Sequence, residues 1–125
     1  MIKSKSMKIK TKFSIKSWDG LKGKIFTPKE TELVLSKGDK VGGKELGGFQ
    51  GSGFVITMPK IEIVDVTEKG IDIIADGLAE PKKIDMMKPI YGARYSILLG
   101  NTLVLATQTM DTGIEVSINP VEIIR

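Results

Sequence analysis

Hydrophobic and polar positions alternate strictly over residues 7–16, with Ile9, Thr11, Phe13 and Ile15 on one side and Lys8, Lys10, Lys12, Ser14 and Lys16 on the other. A period of two predicts a half-buried strand with a row of lysines in solvent, and lysines on an outermost strand also guard sheet edges against unwanted pairing. Residues 1–6 have no such pattern and read as a loose tail. Trp18-Asp19-Gly20 reads as a turn and residues 24–26 as a short strand.

Two readings compete over the next segment. Thr27-Pro28-Lys29-Glu30 has the form of a capping box, and Gly38 would close the helix it opens. Leu33, Val34 and Leu35 are consecutive, however, so no apolar stripe forms, and a strand over 32–36 turning at Lys37-Gly38-Asp39 is favoured. Residues 38–53 hold seven glycines and predict the longest irregular stretch.

Strands follow over 54–58, 61–66 and 71–76, the last two joined by a loop that ends in Gly70. Placing Thr67 opposite Ile71 sets Glu62 against Asp76 and Val66 against Asp72. Like charges facing each other are unfavourable, so a cation at Glu62, Asp72 and Asp76, an intervening lysine or a different register is required. Residues 80–88 predict one or two helical turns starting at Pro81. Residues 95–106 contain two apolar runs joined by Gly100-Asn101, which predicts a hairpin with Leu99 opposite Thr102, apolar on both faces and covered on both. A turn at Asp111-Thr112-Gly113 leads to a strand over 114–118, interrupted by Asn119-Pro120 before 121–124. Together these elements predict one all-β domain, a small antiparallel β-barrel or β-sandwich of about eight short strands with at most one or two short helices.

Composition narrows the chemistry. A chain of 125 residues, 41% hydrophobic and 27% charged, supports a single core without staples. The absence of Cys removes disulfides, thiolate nucleophiles and Cys-ligated metal, and the absence of His removes imidazole bases and His-ligated zinc. The expectation is a protein that is not an enzyme and carries no cofactor. Residues 1–60 carry 13 Lys against 5 acids, while residues 61–125 carry 6 Lys or Arg against 10 acids. That asymmetry fits contact with a charged partner, head-to-tail contact between copies, or mutual neutralisation within one fold. The basic opening is not followed by the apolar stretch of a signal peptide, and no window is long and apolar enough to span a membrane. A cytoplasmic protein of a prokaryotic cell or a virus-infected host is expected.

Three constellations are candidate sites. Lys8, Lys10, Lys12 and Lys16 with Trp18 offer clustered cations and one stacking face to a nucleic acid or another anion. Gly47, Gly48, Phe49, Gln50, Gly51, Ser52 and Gly53 match no known phosphate-binding loop, yet such a loop presents backbone N–H groups to an anion or wraps an extended peptide. Glu62, Asp65, Asp72 and Asp76 supply oxygen ligands, but without the spacing of a calcium loop. Glu30-Thr31-Glu32-Leu33-Val34-Leu35 resembles the E-x-E strand of ADP-ribosyltransferases over six residues, and the arginine that family carries upstream has no counterpart in 29 residues that lack Arg. Lys37-Gly38-Asp39-Lys40-Val41 resembles a run in biotinyl-type domains, whose Met-Lys-Met acceptor is missing. The primary functional expectation is therefore a β-domain that binds protein, as part of a homo-oligomeric assembly or as an inhibitor or adaptor. Alternatives are a nucleic-acid-binding barrel of the oligonucleotide-binding kind, using the lysine row, and a barrel that captures a small ligand.

Overall fold

The structure, a computed structural model, describes residues 7–19, 24–25, 29–42, 60–83, 90–109 and 112–125. The described residues build two antiparallel sheets packed as a sandwich, without closure into a barrel. In the first sheet β1 (Lys8–Asp19) is central, with β2 (Lys24–Ile25) and β3 (Lys29–Ser36) along one side and β9 (Thr112–Ile124) along the other. Beyond β9 lies β8 (Leu103–Thr109). The second sheet runs β4 (Lys40–Val41), β5 (Lys60–Thr67), β6 (Gly70–Asp76) and β7 (Ala93–Leu98).

The alternation of β1 does what its pattern predicts: Ile9, Phe13 and Ile15 are buried with Ile114, Val116, Ile118 and Leu105 of the same sheet. Against them pack Ile61, Ile63, Ile71, Ile73 and Ile97 of the second sheet, and Leu78 closes the core from the linker after β6. Each such aliphatic or aromatic side chain contributes about 1.5–3 kcal/mol by leaving water. The strand reading of residues 32–36 holds and lengthens to Lys29, because Leu35 must face this core and Leu33 packs on its margin.

Several expectations are corrected. The lysine strand is not an edge but the centre of its sheet, paired on both sides. It also runs on through Trp18-Asp19, where a turn was expected. The glycine-rich stretch is not wholly irregular, since Lys40-Val41 pairs with Glu62 and Ile61. The chain crosses there from one sheet to the other at Gly38 (φ 91°), whose N–H donates to the Ile63 carbonyl at 2.7 Å. Between β5 and β6 the register is Thr67 to Gly70, with the irregularity at Val64 instead of in the loop. Of the 80–88 helical segment, a 3-10 turn covers Pro81–Lys83, and residues 84–89 lie outside the described residues. The predicted strand over 54–58 also lies outside them. Asn119-Pro120 does not end a strand: β9 continues past it with a bulge opposite Lys10 and Thr11.

The largest correction concerns Gly100-Asn101. β7 and β8 are not a hairpin: they belong to different sheets. Leu99 still donates to the Lys69 carbonyl at 2.8 Å in the second sheet, while the Gly100 N–H reaches the Pro120 carbonyl at 2.9 Å beside the bulge of β9. The segment is an arch between layers. Both runs are apolar because Ile97 and Leu105 enter the same core from opposite sheets, a reason local turn chemistry does not distinguish from a covered hairpin.

Candidate protein-docking edge

The central position of β1 determines what its lysines can do. Lys10 lies 3.8 Å from Glu32 on β3 and 3.8 Å from Glu122 on β9, and Lys12 lies 3.8 Å from Glu30. Lys16 faces Glu115 across the β1–β9 ladder. The outer face of this sheet thus alternates positive and negative rows. The lysines of β1 are laid between glutamates of β3, from the same half of the chain, and of β9, from the acidic half, which weakens the field a phosphate backbone would require. Trp18 is half-buried, its indole lying over Gly113 on the neighbouring strand. Glu30 and Glu32, the pair that carries the ADP-ribosyltransferase resemblance, are ion-paired to this lysine row.

The proposed loop residues Gly47, Gly48, Phe49, Gln50, Gly51, Ser52 and Gly53 lie outside the described residues. The carboxylates do not converge: Asp76 faces Lys60, Glu62 faces Lys40 on one side and Ile74 on the other, and Asp72 accepts the Ser96 hydroxyl at 2.6 Å. Among the described residues no group of three metal-ligating side chains comes together. Lysines intervene where the expected register opposed Glu62 to Asp76. The actual opposed pair is Asp65 and Asp72.

Sheet edges differ in how they are protected. Ala79 and Ala106 exchange backbone hydrogen bonds of 2.9 and 2.8 Å, which covers part of the outer edge of β8. The outer side of β3 carries Lys29, Glu30 and Glu32, and β2 and β4 are two residues each. Charge, short length and cover are the usual ways of keeping an edge from pairing. β7 has little of this. Among the described residues no strand pairs with its outer edge, where only the Leu98 carbonyl is engaged, by the Asn101 N–H at 3.0 Å, and its one charge, Arg94, has no carboxylate within ion-pair distance.

Beside this edge, on the outer face, two adjoining hollows of about 210 Å³ each share Asp72 and Ser96. One extends toward Val64 and Arg94, the other toward Lys69, Gly70 and Leu98. The small side chain of Ser96 leaves this trough open, while Gly70 lets the β7 backbone approach closely at its end, where a Cβ would meet the Ile97 carbonyl. Leu98 stands at its rim, 54% exposed. The alternation of Arg94, Ser96 and Leu98 with Tyr95 and Ile97 is visible in the sequence; that one flank of the strand has no neighbouring strand among the described residues is not.

Comparison with family models, curated proteins and solved structures finds no match to this chain. Among the described residues no helix is long and apolar enough to cross a membrane.

Proposed function

We propose that this chain is a non-enzymatic β-sandwich domain that binds protein, as a component of a homo-oligomeric assembly or as an inhibitor or adaptor of a larger partner. The observation that carries the reading is the outer edge of β7, with an exposed leucine, an arginine that has no ion pair among the described residues, and a trough alongside. Addition of an extended strand to such an edge is a recurrent mode of protein recognition, in which main-chain hydrogen bonds supply affinity and alternate side chains supply selectivity. The ion-paired lysine face supports nucleic-acid binding less well than it supports a solvated surface. We assign the protein to the cytoplasm of a prokaryotic cell or virus-infected host, since a core built without cysteine needs no oxidising compartment.

The test combines light scattering on the full chain at about 10–100 µM with affinity retrieval, each repeated for Leu98→Lys, which places a charge on the edge. An assembly, or a retrieved protein, that Leu98→Lys abolishes is the expected result. A strict monomer that retrieves nothing in an edge-dependent way overturns the reading.

A further inference from the structure

Resting on that reading, we propose that the occupant of the β7 edge is a second copy of this chain, added antiparallel about a two-fold axis at Ser96, so that two four-stranded sheets become one continuous sheet. Backbone direction is the first argument. Leu99 donates to Lys69, and the Ile97 carbonyl is aimed at Gly70, so both face β6. In an antiparallel ladder alternate residues face the same neighbour, and therefore Arg94, Ser96 and Leu98 direct their N–H and C=O groups outward, where the Leu98 carbonyl already accepts the Asn101 N–H at 3.0 Å.

The second argument is where the open edge stops. On one side Gly92 leaves strand geometry (φ 70°) and gives its N–H to the Asp76 carboxylate at 2.6 Å. On the other the arch begins, with Gly100 bonded to Pro120. The outward-facing residues are thus spaced evenly about Ser96. A two-fold there sets Arg94 opposite Leu98 of the partner subunit and Ser96 opposite Ser96 of the partner subunit; the serine pair exchanges two hydrogen bonds, and each Arg94–Leu98 pair adds one, from the Leu98 N–H to the facing Arg94 carbonyl, since the Leu98 carbonyl already accepts from Asn101.

Side chains agree with this register. Leu98, 54% exposed, receives the aliphatic stem of the partner's Arg94, which has no ion pair of its own among the described residues. Tyr95, half-buried at the margin of the core, meets Ile97 of the partner subunit and extends that core across the seam. Ser96 sits on the axis, where it faces its own copy, is small, and has its hydroxyl turned back to Asp72. One set of residues supplies both halves of the contact, as an isologous interface requires.

The absence of cysteine makes the register directly measurable. Facing Cα atoms in a hydrogen-bonded antiparallel pair lie about 5.5 Å apart, within disulfide reach. Ser96→Cys is expected to form a covalent dimer on mild oxidation. Arg94→Cys and Leu98→Cys should cross-link when mixed and not when alone. In sedimentation, Ser96→Lys should raise the dimer dissociation constant at least about tenfold by setting two ammonium groups on the axis, with thermal melting of the monomer unchanged. An oligomer in which Ser96→Cys stays uncross-linked overturns the two-fold at Ser96 and leaves protein binding standing. A monomer that retrieves another protein through the same edge overturns the second copy and leaves the reading standing. A monomer with no edge-dependent partner overturns both.

Discussion

The indole of Trp18 occupies the space that a side chain on Gly113 would fill. The two residues face each other across β1 and β9, and a methyl group built on Gly113 would land within the six-membered part of the ring. Gly113 is buried, and Trp18 supplies the side-chain mass that a strand glycine lacks, a cross-strand arrangement known to stabilise sheets. Gly113→Ala must push the ring out or spread the strands, and overpacking of this kind costs about 1–3 kcal/mol. Trp18 is the only tryptophan, so its emission reports the displacement directly. Urea unfolding followed by fluorescence should show a lower midpoint for Gly113→Ala and a red-shifted native spectrum. Unchanged emission would mean that the ring does not lie over Gly113.

Thr11 presents the opposite case, a group that the core holds at a cost. It is fully buried, and its hydroxyl has no hydrogen-bond partner among the described residues. The position is fixed by the alternation of β1 between Ile9 and Phe13 and lies beside the bulge of β9, opposite Pro120. Thr11→Val keeps the shape and the strand preference and removes the unpaired polar atom. An unsatisfied buried hydroxyl costs about 1–3 kcal/mol, so the substitution should stabilise the fold by about 1 kcal/mol in denaturant titration. A loss of stability would show that the hydroxyl has found a partner, such as a bound water.

These two residues also mark how far the sequence can be read. The alternation in β1 made Ile9, Phe13 and Ile15 legible as core, because burial of one strand face is a local pattern. Which strands lie on either side of β1 is not local, and so its lysines read as edge protection when they are half of an ion-paired face. The arch at Gly100-Asn101 failed for the same reason: hairpin and crossing use similar turn residues and differ only in whether the flanking runs share a sheet. Between β5 and β6 the register differs from the expected one by one residue already at the turn, where Thr67 faces Gly70, and the bulge at Val64, which no glycine or proline announces, adds a second. The candidate edge at β7 needed the strand order of the whole second sheet before it could be recognised.

Charge balance on the first sheet makes the nucleic-acid alternative testable. Lys8, Lys10, Lys12 and Lys16 share their face with Glu30, Glu32, Glu115 and Glu122, so the net field is small. Fluorescence anisotropy with labelled single-stranded DNA or RNA at about 50 and about 200 mM salt should show little binding by the natural chain. Neutralising the glutamates with Glu30→Gln, Glu32→Gln and Glu122→Gln should create binding that falls steeply with salt, as phosphate contacts do. Tight, salt-steep binding by the natural chain would instead favour the lysine row as the site, with the ion pairs opening to admit phosphate.

Asp65 and Asp72 face each other across β5 and β6, one residue beyond the bulge at Val64. Each carboxylate has its own hydrogen bond: Asp65 accepts from the Val66 N–H at 3.0 Å and Asp72 from the Ser96 hydroxyl at 2.6 Å. Those bonds compensate for local polarity without removing the repulsion, which for two charges at about 5–6 Å in a watery environment is of the order of 0.5–1 kcal/mol. Asp65→Asn deletes one charge while its side-chain oxygen can still accept from Val66. The substitution should therefore raise stability by about 0.5 kcal/mol at low ionic strength, and the gain should shrink toward zero near 1 M salt, where the screening length falls to about 3 Å. Paired denaturant titrations at the two salt concentrations check both the sign and the dependence. A loss at both would mean that the Asp65 charge is engaged by a cation instead of opposed by Asp72.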